Sequence, residues 1–270
     1  MAEQPVIEVK NLTIGYDRRQ VLLQDLNFEV HPGEIFCVLG GSGCGKSTLL
    51  KHLIGLLDPL AGEIFIYGES IVTADEKARR ELMRKFGVTY QGGALFGSMT
   101  VAENVALPLR EFTRLSNREI MRIVGEKLEL VELADFGNFM PAELSGGMRK
   151  RAGLARALAL DPKLLFFDEP SAGLDPITSA ELDRLILTTR RNTEATVVVV
   201  THELESIFTI ADRVMMLDRK TRSIAAIGAP EQLLRETTNP WVQAFLTRDG
   251  LMNFDNRAPG RNCAAPNGSR

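Results

Sequence analysis

Gly40-Gly-Ser-Gly-Cys-Gly-Lys-Ser-Thr48 is the stretch that decides how this chain is read. It fits the phosphate-loop pattern G-x-x-x-x-G-K-[ST], with Gly40, Gly45, Lys46 and Ser47 at the fixed positions. The apolar run Ile35-Phe-Cys-Val-Leu39 comes just before it and reads as a strand. Thr48-Leu-Leu-Lys-His-Leu-Ile54 follows with helical spacing. Strand, glycine loop and helix are the context the pattern needs. Glycines let successive backbone N–H groups point inward at phosphate oxygens. The helix N-terminus adds partial positive charge. Gly40, Gly41, Ser42, Gly43, Cys44, Gly45, Lys46, Ser47 and Thr48 are therefore the candidate nucleotide-binding residues. Lys46 is expected to bridge the β- and γ-phosphates and the Ser47 hydroxyl to ligate Mg²⁺. Cys44 has two readings. It is a small loop filler, or a thiol acidified by the helix N-terminus whose alkylation would block nucleotide.

Outward from the loop, composition sets the bounds. The chain has 270 residues, enough for one large domain or two lobes with a sizeable core. Charged residues are 25% and apolar ones 44%, values ordinary for a soluble globular protein. A net charge of −3 gives no reason to expect a nucleic-acid partner, and 6% aromatics argues against base-stacking platforms. No apolar run approaches the roughly 20 residues needed to span a bilayer. The start, Met-Ala-Glu-Gln-Pro5, lacks the basic and apolar regions of a secretion signal, so a cytoplasmic protein is expected. The three cysteines have no metal-binding spacing.

Strands are expected at Val6–Val9, Thr13–Tyr16, Leu26–Val30, Ile35–Leu39, Glu63–Tyr67 and Gly87–Tyr90, with a charged helix at Ala74–Lys85. From about Gln91 to Asp161 the pattern turns helical. There Ser116 and Glu119 form a capping box for a helix running to about Val131. Leu164–Asp168 and Thr196–Thr201 are continuous apolar runs, the signature of strands buried on both faces. Helices Pro176–Arg190 and Glu203–Ile210 accompany them. Arg213–Leu217 reads as a central strand and Ser223–Ile227 as an edge. Trp241–Leu246 is the last clear helix, and residues 248–270 read as a flexible tail. Strands first, helices in the middle and strands last imply a helical insertion in an α/β core.

Two more constellations carry chemistry. Leu164-Leu-Phe-Phe-Asp-Glu169 is an apolar strand ending in two acids, at the end where parallel sheets bind ligands. Asp168 is the candidate for the Mg²⁺ shell and Glu169 for activation of the attacking water. Leu144-Ser-Gly-Gly-Met148 precedes a helix expected over Arg149–Leu160. Ser145, Gly146 and Gly147 are either a good N-cap or a second anion site. Such a site is useful when another copy of the chain supplies it, which demands a two-fold dimer.

With these residues in view, the chain resembles ABC-type ATPases, the nucleotide-binding subunits of membrane transporters, from about Val6 to Ala229. The resemblance implies an α/β P-loop NTPase core with an antiparallel β-subdomain and an inserted helical subdomain. The ATPase domain would span 1–247, with the helical subdomain at about 92–161. It implies that Leu144–Met148 closes over a partner's ATP and that Tyr16 stacks on adenine. Gln91 would contact Mg²⁺ and the water, His202 would act as the switch on the γ-phosphate, and Ser171-Ala-Gly-Leu-Asp175 would communicate across the dimer.

Met148 stands where many members carry glutamine. That residue, with Gln91-Gly-Gly-Ala-Leu-Phe96, Ser98–Val105 and Thr201–Phe208, resembles a narrower group, the ATPases of MCE-type lipid transporters. The implied cofactors are ATP and Mg²⁺. The implied partners are a second copy, an integral-membrane permease, an MCE-type lipid-binding protein and accessory subunits, at the cytoplasmic face of the inner membrane. An ATPase of a small-solute importer, or a soluble ABC ATPase outside transport, are the competing readings. Ala94, Leu95, Phe96 and Met99 are apolar for a loop. They are expected either to meet a permease helix or to pack inside the helical subdomain. The segment Pro240–Leu246, with the single tryptophan Trp241, has a similar pair of readings, partner contact or packing on its own domain.

Overall fold

The computed structural model describes residues 4–17 and 19–247. The expected tail at 248–270 and Cys263 lie outside them.

In chain order the elements are β1 (Ile7–Gly15), β2 (Val21–Val30), β3 (Ile35–Gly40), α1 (Lys46–Leu53), β4 (Ala61–Ile66), β5 (Glu69–Ser70), α2 (Glu76–Met83) and β6 (Phe86–Thr89). Next come α3 (Val101–Phe112), α4 (Asn117–Leu130) and α5 (Gly146–Ala157), all lying between β6 and β7 (Leu164–Asp168). The chain continues through α6 (Pro176–Thr193), β8 (Thr196–Val200), α7 (Leu204–Ile210), β9 (Arg213–Asp218), β10 (Ser223–Gly228), α8 (Pro230–Glu236) and α9 (Pro240–Thr247). Two sheets form. One is antiparallel, in the order β2-β1-β4-β5. The other has the order β10-β9-β3-β8-β7-β6 and is parallel except for β10.

The continuous apolar strands have a physical reason that period-2 alternation exposes. Ile35, Cys37 and Leu39 of β3, with Leu165, Phe167, Val197 and Val199, face a core shared with α3 to α7. Phe36 and Val38, with Leu164, Phe166, Val198 and Val200, face a second core shared with the antiparallel sheet and α1. Each central strand is therefore buried on both sides, and no position along it can be polar without losing packing on one face.

Several boundaries differ from expectation. The two short N-terminal strands are one, β1, kinked where Asn11 adopts φ +48° and the register with β2 and β4 shifts. A bulge interrupts the alternation that sequence patterning relies on. Arg213–Leu217 lies inside the sheet, paired on both sides, and β10 is the edge strand, as expected. The helix expected from Arg149 starts at Gly146, because the Ser145 Oγ accepts the Met148 N–H at 3.2 Å and caps it three residues earlier. The capping box of α4 forms as expected, and a second one, Thr100 with Glu103, starts α3.

Loop 91–100 is not free. Asn104, fully buried on α3, accepts the Phe96 N–H at 2.7 Å, and its amide nitrogen reaches the carbonyls of Phe96, Met99 and Thr100 at 2.9–3.1 Å. Asn104→Leu should destabilise the protein by about 2 kcal/mol or more, because it strands buried backbone groups. Urea unfolding measures the loss, and an unchanged midpoint would refute the assignment of Asn104 as the loop's anchor.

Candidate active site

The parallel registers bring sequence-distant residues to one edge. Val38 of β3 pairs with Val200, Asp168 pairs with Val200, and Phe167 pairs with Thr89. The C-terminal ends of β3, β6, β7 and β8 therefore lie side by side. They carry Gly40, Gln91, the pair Asp168 and Glu169, and His202, in the crevice where open α/β sheets bind ligands.

The phosphate loop turns through Gly43 at φ +71° and Gly45 at φ +104°, conformations that glycine adopts without strain. A Cβ at Gly41 or Gly43 would meet nothing within 4 Å, so the concave side of the loop stands open. Gly45 caps α1 without a side-chain acceptor, which leaves the first-turn N–H groups of α1 available to an anion. The buried Lys46 ammonium lies across the loop, donating to the carbonyls of Gly40 at 2.9 Å and Gly41 at 3.3 Å. Tyr16, 69% exposed, joins Leu22, Gly43, Gly45 and Thr48 around a depression of about 180 Å³ that also includes Lys46 and Ser47. Ser42 is exposed at the loop's rim.

The Ser47 hydroxyl donates to Asp168 Oδ1 at 2.9 Å. Burial raises the Asp168 carboxyl above the usual aspartate range, against the pull of the Ser47 bond, and the neighbouring Glu169 charge raises it further. The Ser47 hydroxyl and the Asp168 carboxylate are hard oxygen donors. Among the described residues, no group of three or more His, Cys, Asp or Glu could form a metal cage. That donor set suits Mg²⁺, which keeps several waters and is held by one or two carboxylates together with substrate phosphates. Gln91 is exposed beyond the end of β6 and shares no hydrogen bond with Ser47 or Asp168 among the described residues.

Glu169 has a left-handed backbone at φ +48°, and its N–H donates to the Val200 carbonyl at 2.8 Å. Its side chain is only 13% exposed, and both carboxylate oxygens lie within hydrogen-bond distance of His202 Nδ1, at 2.9 and 3.0 Å. The two residues, 33 apart in sequence, are direct partners, which sequence spacing did not indicate.

Ser145 and Gly146 are exposed at the start of α5, and neither they nor Gly147 line the depression over the phosphate loop. A Cβ at Gly147 would lie 2.8 Å from Thr178 Cγ2, so glycine there also serves packing between α5 and α6 within one chain. Asp175 caps α6, accepting from Ile177, Thr178 and the Thr178 hydroxyl, and these bonds hold its carboxyl below the usual range. Sequence reading missed Lys150 and Arg156, which tie loops to a helix from a distance, and Asn104, which anchors the loop just before its own helix. No local pattern marks such contacts.

Comparisons with known proteins give the family. A family model described as "ABC transporter" matches residues 23–172. The chain is 45% identical over 240 residues to "Probable ribonucleotide transport ATP-binding protein mkl" of Mycobacterium leprae, covering 89% of this chain and 68% of that protein. It is 43% identical over 254 residues to "Intermembrane phospholipid transport system ATP-binding protein MlaF" of Haemophilus influenzae, covering 93% of this chain and 94% of that one. Among solved structures it superposes with TM-score 0.75 and 30% identity on the dimeric ATP-binding cassette MJ0796 bound to ADP and Pi, covering 83% of this chain and 98% of that one. The fold and site define a P-loop ATPase of cassette type. The chain belongs to the ABC transporter family, binds ATP and hydrolyses it.

Cys44 departs from the reactive-thiol reading. It is 2% exposed, and burial raises its pKa despite the nearby Lys46 charge and backbone N–H groups. A raised pKa means less thiolate at pH 8, so iodoacetamide should label Cys44 in the folded protein more slowly than a free cysteine. Peptide mass spectrometry over a time course checks this, and labelling as fast as glutathione would contradict it.

Proposed function

We propose that this chain is the ATP-hydrolysing subunit of a transporter that moves phospholipid or a related lipid between bacterial membranes. The observation that carries the reading is the 43% identity to MlaF, which extends over 94% of that protein. The ribonucleotide reading rests on the printed name of mkl, of whose length the chain spans about two thirds, 68%. Among the described residues no helix is long and apolar enough to cross a membrane, so a separate membrane subunit must carry the lipid path. The proposed assembly is two copies of this chain beneath an integral-membrane permease, at the cytoplasmic face of the inner membrane, with an MCE-type lipid-binding protein and accessory subunits.

The proposed chemistry divides among the residues as follows. Lys46 and the N–H groups of the loop from Gly40 to Thr48 hold the phosphates, and Tyr16 covers the adenine. Ser47, Asp168 and Gln91 would hold Mg²⁺, which would neutralise charge on the phosphates. Glu169 accepts the proton of the attacking water, and His202, its hydrogen-bond partner, keeps that carboxylate aimed and faces the γ-phosphate. Ser145, Gly146 and Gly147 of a second copy close the far side of the nucleotide, which excludes water and completes the donor set. Phe96, 52% exposed on the tethered loop 91–100, faces the permease, while its neighbour Leu95 packs on the core.

Glu169→Gln should lower kcat by about 10²- to 10⁴-fold and leave an ATP-dependent dimer visible by size-exclusion chromatography. Turnover at the wild-type rate would remove Glu169 from the role of base. Cargo class is tested by pull-down from detergent-solubilised membranes with mass spectrometry of proteins and lipids. A permease, an MCE-type protein and phospholipid are expected. A permease with a solute-binding protein would sink the lipid assignment and leave the ATPase chemistry standing.

A further inference from the structure

Glu169 sits in a backbone conformation that a side chain with a Cβ resists. A residue held left-handed at a functional site persists only where its surroundings over-determine it. The structure shows three restraints on the turn that begins there. The Glu169 N–H donates to the Val200 carbonyl at 2.8 Å, extending the β7–β8 ladder by one residue. The Ala172 N–H donates back to the Glu169 carbonyl at 3.3 Å, closing the turn. The third restraint comes from another element altogether. Lys150, on α5, donates from its ammonium to the Ala172 carbonyl at 2.5 Å.

Three further observations make this contact more than a surface hydrogen bond. Lys150 is half-buried, and its stem lines a small cavity with Thr89, Tyr90, Leu154 and Pro170, beneath the ends of β6 and β7. Desolvation makes its charge costly, and the Glu169 carboxylate lies close enough to favour that charge. Lys150 is also five residues along α5 from Ser145, so the helix that presents Ser145 to one nucleotide carries the lysine that steadies the base for another.

We propose that Lys150 is a positioning residue for hydrolysis: from α5 it pins the turn Glu169–Ala172 and so fixes the aim of the Glu169 carboxylate. It lines no part of the depression over the phosphate loop. It acts through Ala172 and through the field it places beside Glu169. The inference rests on the proposed role of Glu169 as base. In a two-fold dimer it also gives each chain a rigid link between its Ser145 edge and its Glu169 edge, which serve different nucleotides.

The test uses the full-length chain. Lys150→Met keeps the apolar stem and removes the donor and charge, and Lys150→Arg keeps both donor and charge. Lys150→Met should lower kcat by about tenfold, the scale of one charge-assisted hydrogen bond. KM for ATP should change less than about twofold, because the phosphate loop is untouched. Lys150→Arg should recover most of kcat, and thermal melting of both variants should match wild type. Wild-type kcat in Lys150→Met overturns the proposal. So does a joint fall of kcat and melting temperature that Lys150→Arg fails to rescue, since that marks a role in folding alone. Failure of the underlying reading looks different: Glu169→Gln would then turn over ATP normally, whatever Lys150→Met does.

Discussion

The register of β3 between β8 and β9 is the constraint on which the rest depends. Gly40 pairs with Leu217 and Val38 with Val200, so the phosphate loop leaves the sheet level with the ends of its neighbours. A one-residue slip would exchange the faces of Phe36 and Cys37 between two different cores. The other end of β3 is pinned against that slip. The Ile35 N–H donates to Asp212 at 2.8 Å, the Gly33 N–H to Thr196 at 2.9 Å, and Arg190 to the Gly33 carbonyl at 2.7 Å. The buried Glu34 pairs with Arg213 at 2.9 Å. These contacts, at the edge away from the site, explain how a loop of small residues holds its place: it is the end of a strand fixed on both faces and at its start.

Helix α5 is the second organising element. Its N-terminus is capped by Ser145, and its body reaches two loops of the crevice. Lys150 meets the turn after β7. Arg156 donates to the carbonyls of Gly93 and Ala94, at 3.0 and 2.8 Å, in the loop after β6. A Cβ at Gly153 would lie 3.0 Å from the Gly93 backbone, so helix and loop touch without side chains between them. Together with Asn104 on α3, these contacts tie loop 91–100 to two helices. Packed interfaces of this kind shift as units rather than deform, which suits transmission between a nucleotide edge and a membrane subunit.

Much of this was legible in the sequence because it is local. The phosphate loop, the Ser116 capping box, the acids ending Leu164–Asp168 and the doubly buried strands each carry their physics in a few consecutive residues. What was not legible is what the chain brings together from afar. Asn11 breaks the alternation of β1 and split it into two expected strands. Asn104 looks like any polar residue on a helix, yet it is fully buried and anchors a loop. Gly147 reads as phosphate clearance, and the structure adds Thr178 as an intrachain neighbour. The Glu169–His202 pair and the Lys150–Ala172 bond join separate strands and helices, and only the sheet order creates them.

The geometry also bears on why one chain is an incomplete machine. The phosphate loop offers donors to one side of a nucleotide and leaves the other side to solvent, since Ser145–Gly147 line no part of that depression. In water, donors and charges at the γ-phosphate are screened and gain little in the transition state. A second copy arriving with its α5 N-terminus would exclude that water and strengthen the interactions already in place. Closure then turns on two properties seen in the single chain. The proposed base must already be aimed, and the backbone at Glu169 is tied to Val200 and Ala172 within the single chain. The Ser145–Gly147 edge must also be held firmly, and α5, which carries it, is attached to both crevice loops. In the proposed assembly, a site pre-organised on one chain and covered by another would make hydrolysis conditional on assembly, and that condition would let a membrane subunit govern it through the distance between two edges.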